Sequence, residues 1–111
     1  MKEFKRIIDN SDNFVLYRLG QNANDNHLLI DDADKNDWWI HLNDYPSGHC
    51  IIERTEIDKD DIIYASNLIK ENSKYRNFKK LKFCYTQVKN LKKTKNPGEV
   101  IILKKPEKFT L

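Results

Sequence analysis

The stretch that decides the fold is "WWIHLNDYPSGHCII", Trp38 to Ile52. Two short runs of aromatic and β-branched residues flank "NDYPSG", where Pro46 presets φ and Gly48 can take positive φ. That pattern predicts a β-hairpin. Side chains alternate along a strand, so Asp37, Trp39 and His41 take one face while Trp38, Ile40 and Leu42 take the other. With the turn beginning between Asn43 and Tyr45, His49 comes opposite His41. One tryptophan is then core. The other packs under the lysine-rich segment downstream or offers a stacking surface.

Working outward, "EFKRIID" predicts an edge strand, and "NFVLYRLG" (Asn13–Gly20) a second strand ending in glycine. "QNANDNHLLIDDADKND" is rich in turn formers around Leu28 to Ile30 and predicts one or two helical turns capped by Asn24 or Asp25. "IDKDDIIYASNLIKENSKYR" is the clearest helix. Asp58 caps it, Asp60 and Asp61 suit the positive end of its dipole, and Lys70 and Lys74 suit the other. Ile62, Ala65, Leu68, Ile69 and Asn72 form its buried stripe. "LKFCYT" alternates as a half-buried strand, "QVKNLKKTKNPG" reads as a basic loop closed by a Pro-Gly turn, and "EVIILK" and "KFTL" supply two further strands. This order predicts an α+β fold: a mostly antiparallel sheet, one long helix packed across it and a short additional helix.

The bulk numbers agree with one domain over residues 1–111, a length that supports a single core. No apolar run approaches the ~18 residues of a membrane span, and "MKEFKRIIDN" lacks the apolar region of a secretory signal. Cys50 and Cys84 form no CxxC pair and read as buried thiols of a reducing compartment; the expected location is cytoplasmic. The net charge of +3 hides an asymmetry. Residues 1–69 carry 7 Lys/Arg against 14 Asp/Glu, whereas residues 70–111 carry 13 against 3. A −7 half joined to a +10 half points to a polyanionic partner.

Three constellations compete for function. His41, His49 and Asp37 include metal-ligand types, but a four-residue separation on a strand puts Asp37 and His41 ~13 Å apart. No metal or other cofactor is expected. Cys50 or Ser47 beside His49 could suggest a nucleophile, yet adjacent strand residues face opposite ways; no catalytic residue is expected. Lys89, Lys92, Lys93 and Lys95 lie within seven residues, beside Tyr85 and Asn90, with Pro97-Gly98 stiffening the exit. Ammonium groups suit phosphates and aromatic faces suit unstacked bases, so this loop predicts nucleic-acid contact.

Taken in order, "GQNANDNHLLI", "DWWIH", "PSGH", "ASNLIKENS", "CYTQVKNLKK" and "NPGEV" resemble the successive motifs of the NFACT-R domain, over about residues 13–111. That domain is the RNA-binding part of the NFACT proteins of ribosome-associated quality control. The resemblance places the family's "GRNAxxN" motif on Gly20, Gln21, Asn22, Ala23 and Asn26. It places Asp-x-Trp-x-His on Asp37, Trp39 and His41, the Pro-turn-His motif on Pro46, Ser47, Gly48 and His49, and Pro-Gly-x-Val on Pro97, Gly98 and Val100. The Tyr-Thr strand end and Lys pair fall on Tyr85, Thr86, Lys92 and Lys93. Gln21 departs from the family's Arg, with Arg18 a candidate substitute, and the turn reads Ser-Gly in place of Gly-Ser.

The implied RNA-contacting set is Arg18, Asn22, Asn26, Trp39, His41, His49, Tyr85, Lys89, Lys92, Lys93 and Lys95. Asp37, Pro46, Gly48, Pro97 and Gly98 hold and orient it. Asp37, Trp39 and His41 are either ligand-binding or purely structural. The implied partner is tRNA or rRNA, with the ribosome as a context; DNA is an admissible polyanion and a membrane is not. No segment resembles the other parts of complete NFACT proteins. The expectation is therefore a binder that assists or competes with one of them and does not tail stalled peptides alone. Two other classes stay open: an enzyme on nucleic acid or nucleotide using His41 and His49 as acid and base, and a protein-interaction module for an acidic partner.

Overall fold

The computed structural model describes residues 1–9 and 12–111. Eight strands, β1 (Lys2–Ile7), β2 (Phe14–Leu19), β3 (Trp38–Leu42), β4 (Cys50–Ile52), β5 (Lys82–Gln87), β6 (Leu91–Lys93), β7 (Val100–Ile102) and β8 (Glu107–Thr110), accompany two helices, α1 (Ala23–Asp32) and α2 (Lys59–Glu71). Six strands form one sheet in the order β1-β2-β4-β3-β5-β8, and β6-β7 make a separate ribbon. Every pairing among the described residues is antiparallel. The α+β class holds.

The hairpin is present in the expected register, with Trp39 opposite Ile51 and Ile40 opposite Cys50. Its alternation splits the core in two. Ile40, Leu42, Cys50 and Ile52 join Tyr17, Leu19 and Phe83 under the α2 residues Ile62, Ala65, Leu68 and Ile69. Trp39, Ile51, Cys84 and Val88 pack on the other side with Leu29 of α1, covered further by Leu91, Val100 and Ile102 of the ribbon. The two helices thus lie against opposite faces of the sheet. The clearest predicted helix is the 13-residue α2, and the expected short additional helix is the 10-residue α1, somewhat longer than the one or two turns expected.

Local chemistry explains the differences. Asn22, not Asn24 or Asp25, caps α1: its side chain accepts from the Asp25 N–H at 2.9 Å, and the helix runs through polar residues because Asn26 and Leu29 are buried beneath it. At α2, Asp58 accepts from the Asp61 N–H and Asp61 from the Asp58 N–H, a reciprocal capping box. Asn72 is the exposed C-cap of α2 and leaves the buried stripe, its Nδ2 donating to the Leu68 carbonyl at 2.8 Å. The expected half-buried strand β5 is covered on both faces, since Phe83 enters one core and Cys84 the other.

The basic loop is a 3₁₀ turn (Val88–Asn90) leading into β6. Strand β7 folds back on β6 rather than extending the main sheet. The Val88 and Lys89 N–H groups donate to the carbonyls of Asp37 and Lys35, which ties this turn to the start of β3.

A buried carboxylate unpredicted from sequence pins β1, β2 and α2 together. Asp61, 0% exposed, accepts from Arg6 Nη2 at 2.6 Å, Tyr17 Oη at 2.8 Å and Arg54 Nη1 at 2.9 Å. Burial alone would raise its pKa, but the hydrogen bonds from the Asp58 N–H, Tyr17 and Arg6, with the charge of Arg54, bring it below the ordinary value.

Candidate functional site

On the α1 face, four segments far apart in sequence converge on one open cleft of about 660 Å³. Gln21 to Ala23 and Asn26 come from the entry to α1, His41 from β3 and Pro46 to His49 from the hairpin turn; Asn72 to Tyr75 follow α2, and Pro97-Gly98 closes the ribbon. A smaller cleft of about 270 Å³ adjoins it, and His41, His49 and Gly98 line both.

Backbone contacts stitch these segments together. The Gly20 N–H donates to the His49 carbonyl at 2.9 Å, and the His49 N–H to Asn26 Oδ1 at 3.0 Å. A Cβ on Gly20 would fall 2.1 Å from Asn26 Oδ1, and one on Gly48 would fall 2.3 Å from the Gly20 carbonyl oxygen. Glycine serves at position 48 for this close approach, not for positive φ, which among the glycines only Gly98 adopts. Ser47 secures the turn, its hydroxyl accepting from the Leu42 N–H and donating to the Gly48 carbonyl.

His41 and His49, which line both clefts, pack with the buried Trp39, which borders only the smaller one. Trp39 stacks parallel to His41 with centroids 5.6 Å apart, and His49 meets Trp39 edge-on at 5.3 Å and His41 edge-on at 4.8 Å. Burial, with the nearby His41 and His27, lowers the pKa of His49 from 6.5 to about 3, so its ring is neutral at physiological pH. Burial also lowers that of His41, against hydrogen bonds to Leu42 and Ser47 that pull it back up. His49 Nδ1 and Trp39 Nε1 are buried with no hydrogen-bond partner among the described residues.

The cleft therefore gathers Asn22, Asn26, His41 and His49 of the expected contacting residues, and Pro46, Gly48, Pro97 and Gly98 of the orienting ones. The others lie elsewhere. Trp39 is 2% exposed, so its ring faces belong to the core and offer no stacking surface. Trp38 is half-buried on the opposite face, where it meets Tyr85 at 5.9 Å and donates to the Thr55 carbonyl. Tyr85 thus faces away from the cleft and is not beside the lysines.

Arg18 is held by Glu53 at 2.9 Å and Glu3 at 3.5 Å. The Asp37 carboxylate accepts from the Asp34 N–H at 3.1 Å. It fixes the turn before β3 instead of bonding Trp39 or His41. Adjacent lysines diverge on β6: Lys93 points inward to an ion pair with Asp31 of α1, while Lys92 is exposed. Lys89 and Lys95 are exposed as well. The sequence reading missed Lys74 and Tyr75 as cleft residues; the polar "ENSKYR" closing α2 was the available signal.

A sequence profile described as the NFACT protein RNA binding domain matches residues 3–103. The chain belongs to this family. The match begins closer to the N-terminus than the motifs alone indicated. A curated relative of this NFACT domain, the Rqc2 homolog RqcH of Bacillus subtilis (strain 168), is 29% identical over 76 residues, 68% of this chain. The aligned region spans 13% of that relative's length. Among solved structures, the C-terminal part of the fibronectin/fibrinogen-binding protein from Streptococcus suis has a similar fold. It superposes with a TM-score of 0.80 at 23% identity, over 87% of this chain and 40% of the other. Among the described residues, no helix is long and apolar enough to cross a membrane and no cluster of three or more His, Cys, Asp or Glu could hold a metal ion.

Proposed function

We propose that this chain, acting as one module over residues 1–111, binds tRNA or rRNA in the cytoplasm in connection with ribosome-associated quality control, without turning it over. The observation that carries the reading is the convergence of the motif segments on one cleft, which Lys74 lines and beside which, in sequence, both basic stretches lie. Lys74 to Lys82 follow the cleft residues Asn72 and Ser73 in sequence and Lys89 to Lys95 precede Pro97-Gly98, so a phosphate backbone entering the cleft has a supply of cations to engage. The family's RNA-binding description and the likeness to RqcH support the assignment.

Binding is favoured over acid–base chemistry because His41 and His49 face one another as rings whose pKa values burial depresses. Asp37, the nearest carboxylate in the motif, is engaged with Asp34. A general acid for neutral pH needs a pKa near that pH, which His49 lacks.

The test uses position 21, where glutamine stands in place of the family's arginine. Gln21→Arg should raise affinity for deacylated tRNA or purified ribosomes, and Gln21→Glu should lower it, in anisotropy titrations at matched salt. Equal binding by all three proteins would remove the cleft from the interface. Time-dependent cleavage of tRNA in Mg²⁺, abolished by His41→Ala, would overturn the non-enzymatic reading.

A further inference from the structure

Next to the cleft, three aromatic side chains lie together on the surface. Tyr45, from the hairpin turn, stacks on Tyr75 with centroids 4.6 Å apart at 26°. Phe78 meets Tyr75 edge-on at 5.2 Å and Tyr45 at 6.1 Å. Tyr75 packs against the core, whereas Tyr45 is 40% exposed and Phe78 46% exposed. None of the family motifs contains these three residues.

The loop that carries two of them is pre-shaped. The Tyr75 N–H donates to Ser73 Oγ at 3.1 Å, and the Phe78 N–H to the Tyr75 carbonyl at 2.9 Å. Residues 70–82 hold six Lys/Arg against one acid, Glu71. Arg76, Lys79, Lys80 and Lys82 are exposed, with no ion-pair partner among the described residues, and Lys74 Nζ lies 5.5 Å from the Tyr75 ring.

We propose that Tyr45, Tyr75 and Phe78 form a stacking platform for unpaired bases of an RNA strand whose phosphates lie along the surrounding cations. The inference rests on the RNA-binding reading and deepens it, naming single-stranded RNA as the form engaged. Aromatic faces beside unpaired cations are what a flexible polyanion with exposed π-faces requires. A duplex hides its base faces and presents only backbone, so it would use the cations and leave the rings idle. Since Tyr75 also lines the cleft, a strand stacked on Tyr45 continues past its rim.

The experiment compares a short end-labelled oligoadenylate with the same strand in a blunt duplex. Tyr45→Ala/Phe78→Ala should lose roughly ten-fold in affinity for the single strand, as expected when base–aromatic stacking is removed, with duplex binding nearly unchanged. Lys79→Gln/Lys80→Gln should weaken both. Phe78→Trp should keep single-strand affinity, and the emission of the added indole should be quenched on binding. Parent-like single-strand affinity in a folded alanine variant overturns the platform. If the alanine variant misfolds, unquenched emission from the Phe78→Trp protein at saturating strand overturns it instead. RNA binding survives if the parent binds both forms and the alanine variant loses neither. Parent protein that binds neither RNA overturns both readings.

Discussion

Asp61 and His49 are both buried polar side chains, on opposite faces of the same sheet, and they are treated in opposite ways. Asp61 is ionised and surrounded by donors: two arginines, a tyrosine hydroxyl and a backbone N–H. His49 is kept neutral, touches other rings and, on the wall of an open cleft, leaves Nδ1 without a partner among the described residues. Such an unmet group costs stability, on the order of 1–3 kcal/mol for a buried donor or acceptor. The saturated cluster joins elements to each other; the unsaturated one faces a cavity where a ligand could meet its remaining hydrogen bond.

The largest expected effect comes from the ring cluster. Trp39→Ala should destabilise by ~4 kcal/mol, the range for emptying a buried indole. Urea unfolding measures it, and a loss under ~1 kcal/mol would mean the cluster is not core. Asp61→Ala should cost ~3 kcal/mol because it leaves Arg6 and Arg54 without their carboxylate; both arginines are partly exposed, which moderates the loss. Folded Asp61→Ala protein should bind RNA as the parent does, whereas the cleft variants should not.

Acid separates the clusters by pH window. The folded pKa of His49 is depressed to about 3 from 6.5, so the unfolded state takes the proton first. Its contribution is therefore complete above pH 6.5 and falls as pH drops toward 3, by about 1.4 kcal/mol per unit. Asp61 is depressed below 3.8, so its contribution is intact above that value and is lost only as pH falls through the folded pKa. The stability difference between parent and His49→Gln should change with pH between 6.5 and 4, while that between parent and Asp61→Asn should stay flat there. The reverse pattern would exchange the roles assigned to the two groups.

The smallest effect concerns neighbouring lysines. Lys92→Gln should flatten the salt dependence of RNA binding by ~0.7 in log–log slope, one single-strand phosphate contact. Lys93→Gln should leave the slope nearly unchanged and alter stability by under ~1 kcal/mol, because its charge is engaged by Asp31. Equal slopes for the two variants would place the RNA away from the ribbon.

Much of this was legible in the chain because period-two alternation and turn chemistry are local signals. The hairpin, the facing of His41 toward His49 and the Asp58 cap required no tertiary information. What escaped was set by distant partners. The second aspartate of α2's first turn looked like a dipole charge, and only the approach of Arg6 across 55 residues makes Asp61 a buried hub. Helix α1 looked too polar to persist because its burial depends on Trp39 and Ile51 beneath Leu29. Lysines 92 and 93 looked equivalent because the ribbon that turns them opposite ways is formed by pairing with β7. Tyr85 was grouped with the lysines by proximity in sequence, which a strand converts into opposite faces.

Main chain contributes directly to the junction where the hairpin turn meets the entry to α1: Gly48 lies against the Gly20 carbonyl, and the Gly20 N–H reaches the His49 carbonyl. A substitution at either glycine puts a Cβ where another atom already is, while Gln21 and Lys74 at the rim project from exposed positions. Mutational tolerance should therefore divide sharply over a few ångströms, with a junction that resists change and a rim that accepts it. A lineage could retune what the cleft prefers by editing the rim alone, without reopening the problem of folding the sheet.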